Sequence, residues 1–147
     1  MKELTYKFVE NETELKGAFA VRRQVFVDEQ GVAGELEFDE QDSEALHMVV
    51  KDGQGVVGTA RVLFFTDNQA KLERIAVLKP LRRRGIGRGI ISFLDEELQN
   101  RGVERVSLHA QCVAAAFYRS CGFEETGSTF WEVGIKHIKM QKQLGKV

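Results

Sequence analysis

The chain has 147 residues, of which 43% are hydrophobic and 29% are charged. These values are ordinary for a globular protein that buries a core, so we expect a single domain over residues 1–147. The formal net charge of −1 gives no general attraction to nucleic acid or to an anionic membrane, and no apolar run approaches the roughly 20 residues of a membrane span.

The first thirty residues predict a strand followed by a helix. Apolar side chains alternate over residues 4–8, which is typical of a strand. Asn11 followed by Glu14 resembles a capping box, and the apolar spacing that follows predicts a helix to about Gln30. Arg22 interrupts the apolar side of this helix. Two interpretations stay open: an aliphatic stem with its guanidinium in water, or an arginine that pairs with substrate or with an acidic side chain.

An acidic segment follows, from Gly31 to Ser43. Its five acids are Glu35, Glu37, Asp39, Glu40 and Asp42. Such a run is typical of a solvated loop. The alternative is a loop that lines a site, where the acids would favour a cationic amine as substrate.

The remainder of the chain predicts a meander, two helices and further strands. Strands are expected at residues 45–50, 56–65, 71–77, 106–109, 124–130 and 135–142, and helices at residues 85–100 and 111–120. Gly102 suits the left-handed position after the longer helix. The order β α β β β α β α β β favours an α+β fold in which helices cover a sheet.

The stretch from Leu72 to Leu94 has the build of an anion site. A short strand is followed by Pro80, three arginines, glycines at alternate positions and a helix. Glycine allows a close backbone approach, and the first turn of a helix offers unpaired N–H groups to phosphate. A dinucleotide fingerprint would need glycine where Ile90 stands, and a Walker loop would need glycine and lysine at Ile90 and Ile91. Both phosphate motifs are therefore excluded.

Two motifs carry a resemblance to a known family. Arg82-x-x-Gly85-x-Gly87, placed after a strand that ends in IAV, resembles the acetyl-CoA signature of the GCN5-related N-acetyltransferases, or GNAT proteins. The segment AAAFYRSCGFEETG, from Ala114 to Gly127, is similar to the second hallmark of that family, A-x-x-F-Y-x-x-x-G-F. The chain is identified on these motifs as a member of the superfamily. The segments RRQVFVDEQGV, ALHMVV and EVGIKHIKM resemble a small bacterial subgroup of it.

The resemblance implies a mixed, mostly antiparallel sheet with helices on both faces. The sheet would be splayed between its fourth and fifth strands, residues 71–78 and 104–109, with acetyl-CoA in the gap. The pantetheine arm would bond the open edge of the fourth strand, and the pyrophosphate would rest on the amides of Arg83 to Gly87. The implied cofactor-binding residues are Ile75, Ala76, Val77, Arg82, Arg83, Arg84, Gly85, Ile86, Gly87, Arg88, Gln111 and Tyr118.

The chemistry implied by the resemblance gives Tyr118 the role of an acid that protonates the leaving thiolate; the alternative is a core tyrosine with a satisfied hydroxyl. The amide of Val77 is the expected oxyanion donor. Glu73 is the candidate base, with an exposed strand residue as the alternative. Other candidates are a water chain and the three histidines, His47, His109 and His137.

We therefore expect an acetyl-CoA-dependent N-acetyltransferase that moves the acetyl group directly to a primary amine of a small molecule or protein. The alternative is a regulatory module that binds CoA without turnover, which the presence of Tyr118 and Arg82 disfavours. Arginines without interleaved aromatic residues disfavour nucleic acid as a partner. Cys112 and Cys121 fit no metal-ligand pattern, so we expect a cytoplasmic protein with reduced thiols and no metal. A homodimer is left open.

Overall fold

The computed structural model, which describes residues 3–145, has the predicted strands and helices in the predicted order, together with a short helix in the acidic segment that the sequence did not predict. The strands are β1 (Thr5–Phe8), β2 (Leu46–Asp52), β3 (Gly55–Thr66), β4 (Gln69–Val77), β5 (Arg105–Gln111), β6 (Glu124–Glu132) and β7 (Ile135–Gln143). The helices are α1 (Glu12–Arg22), α2 (Gly34–Glu37), α3 (Ile86–Asn100) and α4 (Ala115–Ser120). Residues 1–2 and 146–147, the ends of the predicted domain, lie outside the described part.

The seven strands form one sheet in the order β1-β2-β3-β4-β5-β7-β6. Every neighbouring pair is antiparallel except β4 and β5, which run parallel. That parallel pairing covers only Gln69–Lys71 against Arg105–Ser107. The two strands therefore separate over the rest of their length, which confirms the predicted splay.

Helices pack on both faces of the sheet, as predicted, because strand side chains alternate between the two faces. Helix α3 buries one apolar stripe, formed by Ile86, Ile90, Ile91, Leu94 and Leu98. This stripe packs on inward residues of the sheet such as Val106 and Leu108 of β5. On the opposite face, α1 contacts β2 and β3, and its Val21 forms a smaller apolar cluster with Ala76 of β4.

The helix predicted from Asn11 to Gln30 changes its winding half way. The α-helix ends at Arg22 and continues as a π-helix over Arg23–Glu29. Asn11 caps the start as expected, since its side chain accepts from the N–H of Glu14 at 2.8 Å. The reciprocal capping bond is different from the prediction, because the carboxylate of Glu14 accepts from the N–H of Glu10 instead. The wider π turns lead the chain to the edge of the splayed strands, a placement often found at functional sites.

Candidate active site

A cleft of about 560 Å³ occupies the gap between β4 and β5. Its walls come from both halves of the protein: the π-helix and the acidic segment on one side, and β5, α4 and the β6–β7 turn on the other. Seven of the predicted site residues line it: Glu73, Ile75, Ala76, Val77, Arg82, Gln111 and Tyr118. The others, Arg83 to Arg88, form the turn and the first part of α3 beyond the wall.

The edge of β4 offers an unpaired amide to this cleft. The N–H of Leu78 donates to the carbonyl of Val57 at 3.0 Å. Because hydrogen bonding alternates from side to side along an antiparallel strand, the N–H and C=O of Val77 point the opposite way, into the gap. The carbonyl of Val77 accepts from Nε of Arg82 at 2.9 Å. By the same alternation its N–H faces the gap and not β3, where a pantetheine arm or an oxyanion would need a donor.

A bulge in β4 re-aims the strand beside this amide. The register with β3 shifts between Thr59 and Arg61, and Arg74 adopts a left-handed φ of 56°. Such a φ is uncommon for a residue with a side chain. The alternation of side chains that a regular strand shows is therefore broken at Glu73 and Arg74. Both side chains reach the same group of charged residues instead of opposite faces.

Arg82 braces the turn against the π-helix. Its guanidinium forms a bidentate pair with Glu29 at 2.6 and 2.8 Å in addition to its bond with Val77. The hydrogen bonds from Arg82 hold the pKa of Glu29 below its usual range. Sequence reasoning missed Glu29 because 53 residues separate the two partners. The predicted contact of Arg82 with phosphate stays a prediction, since its five donors already have three acceptor contacts here.

The turn before α3 has the features expected for phosphate. Gly85 adopts a left-handed φ of 85° and stands before the first helical residue without a side-chain cap. Arg83 and Arg84 are exposed and form no hydrogen bond or ion pair with any residue of 3–145. A Cβ on Gly87 would lie 3.3 Å from the ring of Phe117, so glycine lets the two hallmark motifs meet. Arg88 donates to the hydroxyl of Ser120 at 2.8 Å, which is a second contact between the two motifs.

Tyr118 lines the cleft from α4, and its ring packs against Phe117 and Phe123 with centroids 5.1 and 5.9 Å apart. Its hydroxyl has no hydrogen-bond partner within residues 3–145, and its role as an acid and the alternative of a core tyrosine both stay predictions. Burial raises the pKa of Tyr118 well above its usual range. The phenol is therefore protonated at neutral pH, the form that an acid needs.

Glu73 has the surroundings of a paired carboxylate. Arg61 contacts one of its oxygens at 2.6 Å, and Lys71 contacts the other at 2.8 Å. Burial opposes ionisation, yet these hydrogen bonds hold the pKa of Glu73 below its usual range. Its side chain is 14% exposed, so the alternative of an exposed strand residue is wrong. Its role as a base stays a prediction, one that a depressed pKa disfavours.

The acidic segment is folded onto the sheet through a group of ion pairs that we call the ionic cluster: Arg22, Glu37, Asp39, Asp42, Arg61, Glu73 and Arg74. Arg22 is 1% exposed and pairs with Glu37 at 2.9 Å and Asp42 at 2.7 Å. The interpretation of Arg22 as a surface stem is therefore wrong, and its ion-pair alternative is confirmed. The solvated loop is also wrong for three of the five acids; Glu35 and Glu40 are exposed.

The three histidines lie in different surroundings. His47 is buried under the acidic segment, and burial lowers its pKa. His109 and His137 line the cleft beside Glu132. Glu132 is a residue that sequence reasoning missed.

At the end of β5, Gln111 donates to the side chain of Gln30 at 3.0 Å. This bond spans the cleft from β5 to the end of the π-helix.

Among residues 3–145, no three His, Cys, Asp or Glu side chains lie together as metal ligands would. No helix in the same range is long and apolar enough to cross a membrane.

Comparisons with known proteins agree with this geometry. Residues 5–144 match the family described as acetyltransferase (GNAT) domain. The uncharacterized N-acetyltransferase YjcF of Bacillus subtilis is 41% identical over 90% of this chain and 94% of its own. The crystal structure of a Lactobacillus plantarum protein named as an N-acetyltransferase superposes with a TM-score of 0.90 at 27% identity, and the match covers 96% of this chain and 98% of that one. A GNAT acetyltransferase from Elizabethkingia anophelis with acetyl-CoA bound shares the fold, with a TM-score of 0.75 at 13% identity over 96% of this chain and 98% of its own.

Proposed function

The chain belongs to the GNAT acetyltransferase family and is an N-acetyltransferase, and on this premise we propose that it transfers the acetyl group of acetyl-CoA directly to a primary amine. The observation that carries the proposal is the splayed β4–β5 pair. It leaves the amide of Val77 facing a cleft that Tyr118 also lines. The cofactor-binding residues named from the sequence are part of this proposal.

The proposed placement of acetyl-CoA follows from where donors are free. The pantetheine arm would lie along the open edge of β4, over Ile75 to Val77. The pyrophosphate would meet the N–H groups at the start of α3, where the helix dipole favours an anion. Arg83 and Arg84 add guanidinium groups that have no partner among residues 3–145, and guanidinium binds phosphate through charge-assisted bonds.

The proposed transfer has two steps that this chain can assist. The amine attacks the thioester carbonyl, and the N–H of Val77 stabilises the oxyanion that develops. The carbon–sulfur bond then breaks, and the hydroxyl of Tyr118 protonates the thiolate. A cleft with one wall from the acidic segment leaves room for the acceptor opposite the thioester.

An acceptor screen tests the activity. We expect CoA release, followed with a thiol reagent, from acetyl-CoA and a panel of small amines, amino acids, aminoglycosides and lysine peptides. Binding of acetyl-CoA with no acetylation of any amine would instead favour the regulatory module. The cytoplasmic location and a homodimer stay predictions.

The phosphate site has its own prediction. Acetyl-CoA should raise the melting temperature, because it binds only the folded protein. Arg84→Glu should weaken binding by roughly 10- to 100-fold, since it removes one charge-assisted contact and adds repulsion. Arg105→Glu is the matched control, because Arg105 is an exposed arginine at the start of β5. Equal affinity in the two variants would place the pyrophosphate elsewhere. The affinities come from the melting shift against acetyl-CoA concentration.

A further inference from the structure

His109 and Glu132 form a hydrogen-bonded pair on the wall of the cleft that faces β4. Nδ1 of His109 lies 3.0 Å from a carboxylate oxygen of Glu132. Both residues line the cleft, and their side chains are 28% and 45% exposed. Nε2 of His109 has no hydrogen-bond partner within residues 3–145. A carboxylate that holds one ring nitrogen fixes the tautomer and leaves the other nitrogen as a proton acceptor.

The sheet brings these two residues together across distant parts of the sequence. In the β5–β7 register Gln111 lies opposite His137, and in the β6–β7 register Phe130 lies opposite His137. Side chains paired in this way share a face of the sheet, as do side chains two residues apart on one strand. His109 therefore lies on the same face as Gln111, and Glu132 lies on the same face as Phe130. The ring of Phe130 packs edge-on against His109 with centroids 4.9 Å apart and is stacked on His137. The imidazole of His109 is thus held by the carboxylate of Glu132 through a hydrogen bond on one side and by an aromatic ring on another.

His137 differs from His109 in a way that assigns the roles. Nδ1 of His137 lies 2.7 Å from its neighbouring carbonyl, Ile135 O, and its side chain is 7% exposed. Its Nε2 lies 4.0 Å from Glu132, beyond hydrogen-bond length. His137 therefore has neither the carboxylate partner nor the exposure of His109.

The carboxylates on the facing wall are already paired with cations. Glu73 is held by Arg61 and Lys71, and Asp39 is held by Arg61 and Arg74. Lys139 of β7 lies opposite His109 in the sheet. The other charged and titratable groups that line the cleft with His109 are Glu132 of β6, His137 of β7, Arg61 of β3, Lys71, Glu73 and Arg74 of β4, Glu37 and Asp39 of the acidic segment, Arg82 of the turn before α3 and Tyr118 of α4. Among the carboxylates of this set, Glu132 alone has no arginine or lysine partner within residues 3–145.

We propose that His109 is the base that takes a proton from the acceptor ammonium and that Glu132 positions it. This assignment rests on the proposed function. Nε2 of His109 accepts one proton of R–NH₃⁺, and the freed lone pair forms the bond to the thioester carbon. The carbon–sulfur pair of electrons then leaves on sulfur. Tyr118 protonates the thiolate and regains a proton from the new amide nitrogen, and the proton on His109 passes to water.

Two probe amines of similar size separate this role from general damage. Benzylamine is an ammonium ion at neutral pH, whereas aniline is neutral there and needs no deprotonation before attack. His109→Gln should lower kcat for benzylamine at pH 7 by about 100-fold, within the range of general-base effects. The loss for aniline should stay below about tenfold. CoA release is followed at saturating acetyl-CoA.

The rate against pH gives a second readout. The wild-type rate with benzylamine should fall at acid pH as the base is protonated, which gives the curve of rate against pH an acid limb. His109→Gln should lose this limb. Glu132→Gln should lower kcat for benzylamine more than for aniline, because the imidazole loses the carboxylate that fixes its tautomer and orientation. His137→Gln is the matched control and should keep the limb in place.

Other results of these two experiments would overturn the assignment of His109 as the base. Equal losses with benzylamine and aniline, or an unchanged limb in His109→Gln, would exclude His109 as the base. A limb lost in His137→Gln would transfer the role to that residue. If the wild type binds acetyl-CoA and acetylates neither these probes nor any amine of the panel, the proposed function itself fails, and this assignment with it.

Discussion

Tyr118→Phe should lower kcat about 100-fold while acetyl-CoA binding stays near normal. General-acid assistance is worth roughly 10²–10⁴-fold, and the low end applies because a CoA thiolate is already a fair leaving group. The hydroxyl of Tyr118 has no partner within residues 3–145, so its removal leaves no buried group without its hydrogen bond. The ring contacts with Phe117 and Phe123 are kept in the variant. The fold should therefore survive, and melting curves check it.

The chain provides a matched control, since it has only two tyrosines. Tyr6 of β1 packs against Gly89 of α3 and is absent from the cleft wall. Burial raises the pKa of both phenols. Tyr6→Phe should thus keep the wild-type kcat. A fully active, folded Tyr118→Phe enzyme would refute the acid role, and a loss below about tenfold would indicate positioning instead.

Local sequence signals predicted the order of elements and the phosphate turn. Alternation of apolar residues in β5, the helical spacing in α3 and the left-handed glycines Gly85 and Gly102 are short-range features. They act within a few residues, so they can be recognised without knowing the fold. The two motifs at Arg82 and Tyr118 added the topology by resemblance, and the splayed strands confirm it.

The charged residues were harder to assign, because their partners lie far along the chain. Arg22 meets Asp42 after 20 residues, and Arg82 meets Glu29 after 53. No periodicity links such pairs. Glu132 was missed for the same reason, since it reaches His109 only through the β5–β7–β6 order of strands. The π-helix and the left-handed Arg74 likewise depend on packing that the sequence pattern does not express.

Arg61→Met should reduce the free energy of unfolding by about 3–5 kcal/mol at pH 7, because it removes a buried cation from three carboxylates of the ionic cluster and leaves each with a single cation. Arg61 is 1% exposed and contacts Asp39, Asp42 and Glu73 at 2.8, 2.8 and 2.6 Å. Urea unfolding followed by circular dichroism measures the loss. Trp131, the single tryptophan, is 72% exposed and would report the transition poorly. Arg105→Met is the exposed control, and it should change stability by less than about 0.5 kcal/mol.

The pH dependence distinguishes an ionic effect from a packing effect. Hydrogen bonds from arginine keep the pKa values of Asp39 and Asp42 below their usual range. Their stabilisation is present above the ordinary carboxyl pKa of about 4 and is lost as pH falls through the lower folded values. Burial raises the pKa of Glu37, so its contribution runs the opposite way. The difference in unfolding free energy between wild type and Arg61→Met should therefore hold from pH 7 to about pH 4 and narrow as the pH falls below about 4, because Asp39 and Asp42 then become neutral. A difference in unfolding free energy that stays constant below about pH 4 would mean that Arg61 stabilises the fold through the packing of its aliphatic stem rather than through its charge.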